Sequence, residues 1–225
     1  MIHNSNRVRA VLFDLDGVLI DSRSSMAASY QFAVRGLPDA PPFETYEQFQ
    51  GLPLAVIFER LSLPASCVDE YADERERQLR RLRPQPGAQE MLATLAALAV
   101  PMAVVTGKDR YAALQALTQV GILQYFGAVV GSDETIAPKP AADHALVALA
   151  RLGDIRPHSA LLVGDGRSDI QCARAAGCVA GAAVWGFGST TMLAEEMPDA
   201  TFEQPSDVAA WVLARRNGHV ARVEP

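Results

Sequence analysis

Short apolar runs alternate with amphipathic segments along most of the chain. The runs have the length of β-strands and occur at 8–13, 101–106, 128–131, 160–164 and 179–185. Between the later runs, apolar residues recur at helical spacing, at 88–99, 109–120, 141–152 and 167–176. Strands that alternate with helices in this way form a parallel sheet with helices on both faces. The pattern therefore predicts an α/β fold.

Residues 22–86 interrupt this alternation. They contain helix-like segments at about 24–36, 44–49, 53–62 and 67–83, separated by prolines, and no convincing strand. We interpret the stretch as a helical subdomain inserted into a Rossmann-like core, which is formed by residues 1–21 and 87–225. The hinges of such an insertion are expected near 20–22 and 86–87.

The last segment of the insertion is rich in arginine. The residues concerned are Arg75, Arg77, Arg80, Arg81 and Arg83, and they alternate with acidic residues. This pattern is typical of a solvated helix face with ion pairs between neighbouring turns, so we expect these side chains to face water. The tail after Arg216 is expected to be loosely ordered.

Composition and charge argue against several classes of protein. The net charge of the 225 residues is −6 and is spread along the chain, so a nucleic-acid partner is not expected. The three cysteines, Cys67, Cys172 and Cys178, lack metal-ligand spacing and suit a reducing compartment. The first residues are polar, so no secretory signal is apparent, and the longest apolar stretch, 91–105, is too short to cross a membrane. We therefore expect a cytoplasmic protein without a membrane partner.

Two carboxylates end the first apolar run. Asp14 and Asp16 follow this run one residue apart, and Gly17 comes next. Ligands collect at the carboxyl ends of strands in open α/β sheets, and two neighbouring carboxylates there must be compensated by a cation or a proton. The pair therefore predicts a divalent metal site, a general acid, or both. A calcium loop of the EF-hand type is disfavoured, because Val18 and Ser25 occupy two of its ligand positions.

Three later strand-like runs also end at polar groups. These groups are Thr106-Gly107-Lys108, then Lys139 between two prolines, then Gly164-Asp165 with Asp169 four residues on. Taken singly, they could be a helix N-cap, a surface lysine and a capped turn. Taken together, they predict an anion-binding turn, a fixed cation and a second acidic cluster at the edge of the sheet that carries Asp14.

The ordered set resembles the four motifs of the haloacid dehalogenase superfamily over nearly the whole chain. In that comparison 14–18 is the nucleophile loop, Thr106-Gly107 the second motif, Lys139-Pro140 the third, and Gly164-Asp165 with Asp169 the fourth. The insertion resembles the C1-type cap of the branch that includes phosphoglycolate phosphatases and β-phosphoglucomutase. Gly166 and Ala142 depart from the usual pattern, but neither replaces a catalytic group.

The resemblance implies a mechanism with a covalent intermediate. Asp14 would be the nucleophile, and Asp16 would protonate the leaving alkoxide and then activate water. Mg2+ would be held by Asp14, the main-chain carbonyl of Asp16, and Asp165, with Asp169 orienting a water on the metal. Phosphoryl oxygens would be bound by Thr106, Gly107 and Lys139.

Other activities of the superfamily fit less well. The 2-haloacid dehalogenases lack the second carboxylate found here at Asp16, and phosphonatases use a cap lysine whereas 22–86 contains none. Phosphohexomutases have cations in the cap loop, whereas the corresponding loop here, 50–54, has none. We expect Gly51, Leu52 and Leu54 of this loop to lie over the leaving group. We therefore expect a phosphatase acting on a small phosphorylated metabolite of the phosphoglycolate or sugar-phosphate type, as a monomer or homodimer. A phosphosugar mutase, or a non-catalytic binding protein on this fold, is the alternative.

Overall fold

The computed structural model describes residues 8–216. Its strands are β1 (Ala10–Phe13), β2 (Ile20–Asp21), β3 (Arg83–Pro84), β4 (Met102–Val105), β5 (Ala128–Val130), β6 (Ala160–Gly164), β7 (Val179–Ala183) and β8 (Ala200–Phe202). Its helices are α1 (Arg23–Val34), α2 (Phe43–Glu47), α3 (Leu54–Arg60), α4 (Ser66–Gln78), α5 (Ala88–Ala97), α6 (Arg110–Gln119), α7 (Asp143–Arg151), α8 (Arg167–Ala176), α9 (Thr190–Glu195) and α10 (Pro205–Arg216).

Six of these strands form one parallel sheet, in the order β5-β4-β1-β6-β7-β8. Alternate side chains of the central strand β1 enter two apolar clusters, one on each face, with Val11 and Phe13 in one cluster and Ala10 and Leu12 in the other. Helices α5, α6 and α10 supply side chains to the first cluster, and α7 and α8 supply side chains to the second. The predicted Rossmann-like α/β fold is confirmed.

The register of the sheet brings the motif residues to one edge. Phe13, the last residue of β1, pairs with Val104 of β4 and with Val163 of β6. The residues that follow these positions in the three strands therefore lie side by side. They include Asp14 and Asp165, whose sequence positions differ by 151 residues.

The inserted helices α1–α4 have an apolar cluster of their own. Its aromatic members Tyr30, Tyr46, Phe58 and Tyr71 pack with ring centroids 5.0–6.2 Å apart. The chain enters and leaves this region through a two-stranded antiparallel ribbon, in which Ile20 of β2 pairs with Pro84 of β3. The ribbon was not expected from the sequence, because two residues are too few to show a strand period.

The sequence pattern did not predict β8, α9 or α10. β8 has three residues, and it is fixed by the burial of Phe202. The Phe202 ring packs edge-on against Trp211 of α10, with the ring centroids 5.9 Å apart.

The tail after Arg216 lies outside the described residues. Within 8–216, no helix combines the length and the apolar character that a membrane span requires.

Candidate active site

Asp14 lies at the end of the central strand, at the floor of a cavity. Its backbone N–H donates to the carbonyl of Val163 in the neighbouring strand at 2.9 Å. The chain then turns sharply at Gly17, whose φ of +80° favours glycine, and the turn is closed by a hydrogen bond from Gly17 N to Ile20 O of 2.9 Å. The turn fixes the Asp14 carboxylate with only 6% of the residue exposed.

Lys139 links two of the predicted carboxylates. Its Nζ donates to Asp14 Oδ1 at 2.6 Å, to Asp169 Oδ1 at 2.6 Å and to the carbonyl of Val105 at 3.3 Å. The side chain is fully buried, so Lys139 is not a surface lysine. Burial opposes its charged form, but the two carboxylates outweigh that effect and raise the pKa of Lys139 above its ordinary value.

Asp165 is enclosed by a loop that follows β7. The backbone N–H of Phe187 donates to Asp165 Oδ2 at 2.6 Å. A Cβ atom on Gly186 or Gly188 would collide with Asp165, so glycines on both sides of Phe187 allow this close approach. Asp169 is held at the start of α8, where Gly166 N donates to its Oδ2 at 3.0 Å. Phe187 and its glycines were not singled out from the sequence.

Asp14, Asp165 and Asp169 form a buried cluster in which one oxygen of each lies within 4.8 Å of the others. Burial, together with the charges of Asp169 and Asp16, raises the pKa of Asp14 to about 7 although Lys139 opposes the shift. Burial and the charges of Asp14 and Asp169 raise the pKa of Asp165 well above its usual range. Within 8–216 the buried ammonium of Lys139 contacts two of these three carboxylates. Such a set of hard oxygen donors suits a divalent cation such as Mg2+.

The side chain of Asp16 lies apart from this cluster. It accepts a hydrogen bond from the Ser22 hydroxyl and forms an ion pair with the ammonium of Lys108. The carboxylate is partly exposed and lines the cavity. This arrangement leaves the Asp16 side chain outside the three-carboxylate cluster and on the wall of the cavity.

Thr106 and Gly107 follow β4, as the sequence indicated. Thr106 is buried, its N–H donates to Val130 O at 3.1 Å, and its hydroxyl accepts from Lys108 N at 3.2 Å. Beneath them lies His144, which is fully buried and whose Nε2 has no hydrogen-bond partner within 8–216. Burial and the charge of Lys139 lower the pKa of His144 to about 4.

The inserted helices close over these residues. A Cβ atom on Gly107 would stand 2.5 Å from the carbonyl oxygen of Gly51, and one on Gly51 would collide with Ser168 Oγ. Between the insertion and the core lies a cavity of about 1020 Å³, reached by Asp14, Asp16 and Thr106 from below. The insertion contributes the predicted turn, Gly51, Leu52 and Leu54, and also Tyr46, Tyr71 and Arg75.

One expectation about the arginine-rich segment was wrong. Arg75 does not lie on a solvated face: it lines the cavity and pairs with Asp109 of the core, Nη2 to Oδ2 at 3.3 Å. The docking of α4 on the core decides which arginine turns inward, and that contact cannot be seen in the local pattern. Arg77, Arg80, Arg81 and Arg83 are exposed, as expected.

Comparison with known proteins identifies relatives of the whole arrangement. Residues 11–183 match the family described as haloacid dehalogenase-like hydrolase. The phosphoglycolate phosphatase of Neisseria meningitidis is 32% identical over 209 residues, which cover 86% of this chain and 87% of that protein. The phosphoglycolate phosphatase of Escherichia coli K12 is 30% identical, covering 89% and 91%. Among solved structures, a hydrolase of the haloacid dehalogenase-like family from Streptococcus pneumoniae superposes with a TM-score of 0.78 at 27% identity, covering 91% and 98%.

Proposed function

Since the chain belongs to the haloacid dehalogenase-like hydrolase family and is a phosphatase of phosphoric monoesters, we propose that it acts through an aspartyl-phosphate formed on Asp14. The observation that carries this proposal is the setting of Asp14 at the floor of the cavity. Its Oδ1 is held by the buried ammonium of Lys139, so Oδ2 is the oxygen that would attack phosphorus.

The three-carboxylate cluster supports a Mg2+ site. Asp14 and Asp165 would hold the ion with the main-chain carbonyl of Asp16, and Asp169 would stand beside it. Burial, and after it the neighbouring carboxylates, raise the pKa values of Asp14 and Asp165, and a divalent cation would stabilise their ionised forms. When bound, Mg2+ supplies the positive charge that reduces repulsion between the carboxylate nucleophile and the phosphoryl oxygens.

The remaining chemistry is assigned to side chains of this chain. Attack by Asp14 forms a P–O bond and breaks the bond to the leaving oxygen, which takes a proton from Asp16. Asp16 then accepts a proton from the water that attacks the phosphorus, and Asp14 is released with inorganic phosphate. Thr106, Gly107 and Lys139 bind the phosphoryl oxygens, where negative charge develops in the transition state.

We also propose that residues 22–86 act as a lid on a core formed by 1–21 and 87–225. The ribbon of β2 and β3 is the connection between the two, so small backbone changes there would move the whole insertion. Closure would bring the turn containing Gly51, Leu52 and Leu54 over the leaving group and exclude water from the first step.

The proposed substrate is a small phosphorylated acid of the phosphoglycolate type. Two relatives named phosphoglycolate phosphatase align over most of their length, which supports this choice. The turn 50–54 has no cation with which to clamp a second phosphate group, which favours hydrolysis over a mutase reaction. All three cysteines are unpaired and buried, which supports a reducing compartment such as the cytoplasm.

The test is phosphate release by the purified protein over a panel of phosphorylated acids, sugars and nucleotides. We expect turnover that requires Mg2+, is abolished by a chelator and is fastest with a small phosphorylated acid. Failure to release phosphate from any member of the panel in Mg2+ would refute the phosphatase function. Equal turnover with and without chelator would refute the metal dependence.

A further inference from the structure

Arg75 is a cation that the insertion directs toward the substrate cavity. Its side chain is 24% exposed and lines the cavity that contains Asp14 and Asp16. Two other arginines reach this cavity, but Arg60 is exposed to solvent and Arg167 is held by Glu195 and Glu196. Lys108 also lines the cavity, but its ammonium is paired with Asp16. Arg75 is therefore the cavity cation best placed to meet a ligand.

The guanidinium of Arg75 is positioned but not saturated. Its hydrogen bond to Asp109 Oδ2 is 3.3 Å long, whereas hydrogen bonds between charged groups are usually about 2.7–2.9 Å. Asp109 is itself fixed, because its Oδ1 accepts from Ala112 N at 2.8 Å as the N-cap of α6. A guanidinium has about five N–H donors, and within 8–216 the structure shows this one engaged. Most of its donors are available to a ligand.

Arg75 lies on the side of the cavity where the leaving group must sit. The hydroxyls of Tyr46 and Tyr71 are 3.0 Å apart and both residues line the cavity. Burial raises the pKa of Tyr71, the charge of Asp16 adds to that shift, and the charge of Arg75 opposes it. Adjacent residues of the core also hold the two groups, because Lys108 pairs with Asp16 and Asp109 pairs with Arg75. Because Asp16 is the proposed proton donor to the leaving oxygen, the remainder of the leaving group extends into the region that Arg75 faces.

We propose that Arg75 binds a carboxylate on the leaving group and so makes the enzyme selective for phosphorylated acids. The proposal rests on the phosphatase function proposed above and identifies the residue that recognises the leaving group of the substrate. The planar guanidinium matches a carboxylate with two parallel hydrogen bonds, which a neutral alcohol cannot reproduce. The uncharged turn at 50–54 encloses the leaving group, and Arg75 on α4 recognises its charge.

A different role for Arg75 would be to hold the lid closed through Asp109. The two roles predict different results. A latch acts on every substrate to the same degree, whereas a carboxylate-binding residue acts on acids and spares neutral analogues. Asp109→Asn separates them further, because asparagine keeps the N-cap of α6 but removes the charge that pairs with Arg75.

The experiment compares kcat/KM for 2-phosphoglycolate with kcat/KM for 2-hydroxyethyl phosphate, in which a neutral hydroxymethyl group replaces the carboxylate. We expect Arg75→Met to lower the acid-to-neutral ratio by about 10- to 100-fold, chiefly through a higher KM for the acid. Arg75→Lys should recover part of the ratio, since it restores the charge but not the planar fork. Asp109→Asn should keep kcat/KM for each of the two substrates within about threefold of the wild type, whereas the latch role predicts a fall for both. The control Arg77→Met, on the exposed side of α4, should also keep both values within about threefold.

Three results would overturn the proposal. If Arg75→Met left the acid-to-neutral ratio of kcat/KM unchanged, or lowered kcat/KM equally for both substrates, Arg75 would not bind the carboxylate. A wild-type enzyme that hydrolyses both compounds without preference would refute this inference and leave the phosphatase function intact. A wild-type enzyme that hydrolyses no phosphomonoester in Mg2+ would refute both.

Discussion

Gly17 and Asp165 lie so close together that the structure has no room for a Cβ atom between them. Gly17 belongs to the turn after β1, and Asp165 is a carboxylate of the buried cluster. The contact joins two motifs that lie 148 residues apart in sequence. Glycine at this position therefore serves both the backbone, with φ of +80°, and the placement of the buried Asp165 carboxylate.

Substitution at this contact should disturb the site more than the fold. Gly17→Ala would strain the turn and push Asp165 out of position, so we expect kcat/KM to fall by about 100-fold or more. Gly121 provides the matched control, because its φ is +70° but no atom lies within 4 Å of an added Cβ. Gly121→Ala should cost about 1 kcal/mol in the free energy of unfolding and leave kcat/KM unchanged. Similar losses of activity in the two variants would show that backbone strain alone is responsible.

Removal of Lys139 should destabilise the protein as well as inactivate it. Lys139→Met leaves Asp14 and Asp169 buried without their common cation, a change that costs about 3–5 kcal/mol in comparable buried pairs. The free energy of unfolding in urea, measured in chelator, should fall by that amount. Lys139→Met combined with Asp169→Asn should recover part of the stability but no activity.

An exposed cation provides the control for Lys139. Arg110 forms a surface ion pair with Glu134 at 3.6 Å, so Arg110→Met should change stability by less than about 1 kcal/mol. An equal effect of the two substitutions would contradict the assignment of Lys139 as the buried counter-ion.

His144 should make the protein sensitive to acid. Its pKa is lowered from 6.5 to about 4, so the folded protein favours the neutral imidazole. The stability that His144 contributes is complete above pH 6.5 and is lost as the pH falls toward 4, by about 3 kcal/mol in all. His144→Leu should abolish this part of the pH dependence, measured as the free energy of unfolding between pH 7 and pH 4. The exposed His158 is the control, and His158→Leu should leave the slope as in the wild type.

Mg2+ should stabilise the fold through Asp165 and not through the side chain of Asp16. At a concentration about 100 times its Kd, the ion should raise the free energy of unfolding by about 2.7 kcal/mol. Asp165→Asn should remove most of this gain. Asp16→Asn should keep it, because its main-chain carbonyl is retained and its carboxylate lies outside the cluster. Equal Mg2+ stabilisation of Asp165→Asn and the wild type would contradict the proposed ligand set.

Much of the site could be predicted because its residues follow strands. Asp14, Thr106 and Asp165 each come directly or almost directly after a buried apolar run, and a parallel sheet brings the ends of such runs together. Lys139 was placed by the same reasoning, and its flanking prolines marked a fixed segment. The full burial of Lys139 between two carboxylates could not be predicted from the sequence, because a lysine in a loop is usually exposed.

Other features depend on contacts that leave no local signal. Arg75 and Arg77 look alike in sequence, and only the packing of α4 against the core turns Arg75 toward the cavity. Phe187 lies in a short glycine-containing loop, and nothing in its sequence indicates that its backbone N–H donates a hydrogen bond to Asp165. Strand β8 has three residues, too few to show alternation, and it is fixed by the contact of Phe202 with Trp211.

The central claim is that Asp14 is the nucleophile, and Asp14→Asn tests it most directly. The amide has nearly the same shape, so the free energy of unfolding should stay close to that of the wild type. The amide cannot attack phosphorus, so phosphate release in saturating Mg2+ and substrate should fall by about 10⁴-fold or more. Asp21→Asn, which alters an exposed carboxylate of the β2–β3 ribbon, is the control and should remain active. Retention of even about a tenth of wild-type phosphate release by folded Asp14→Asn would contradict the account.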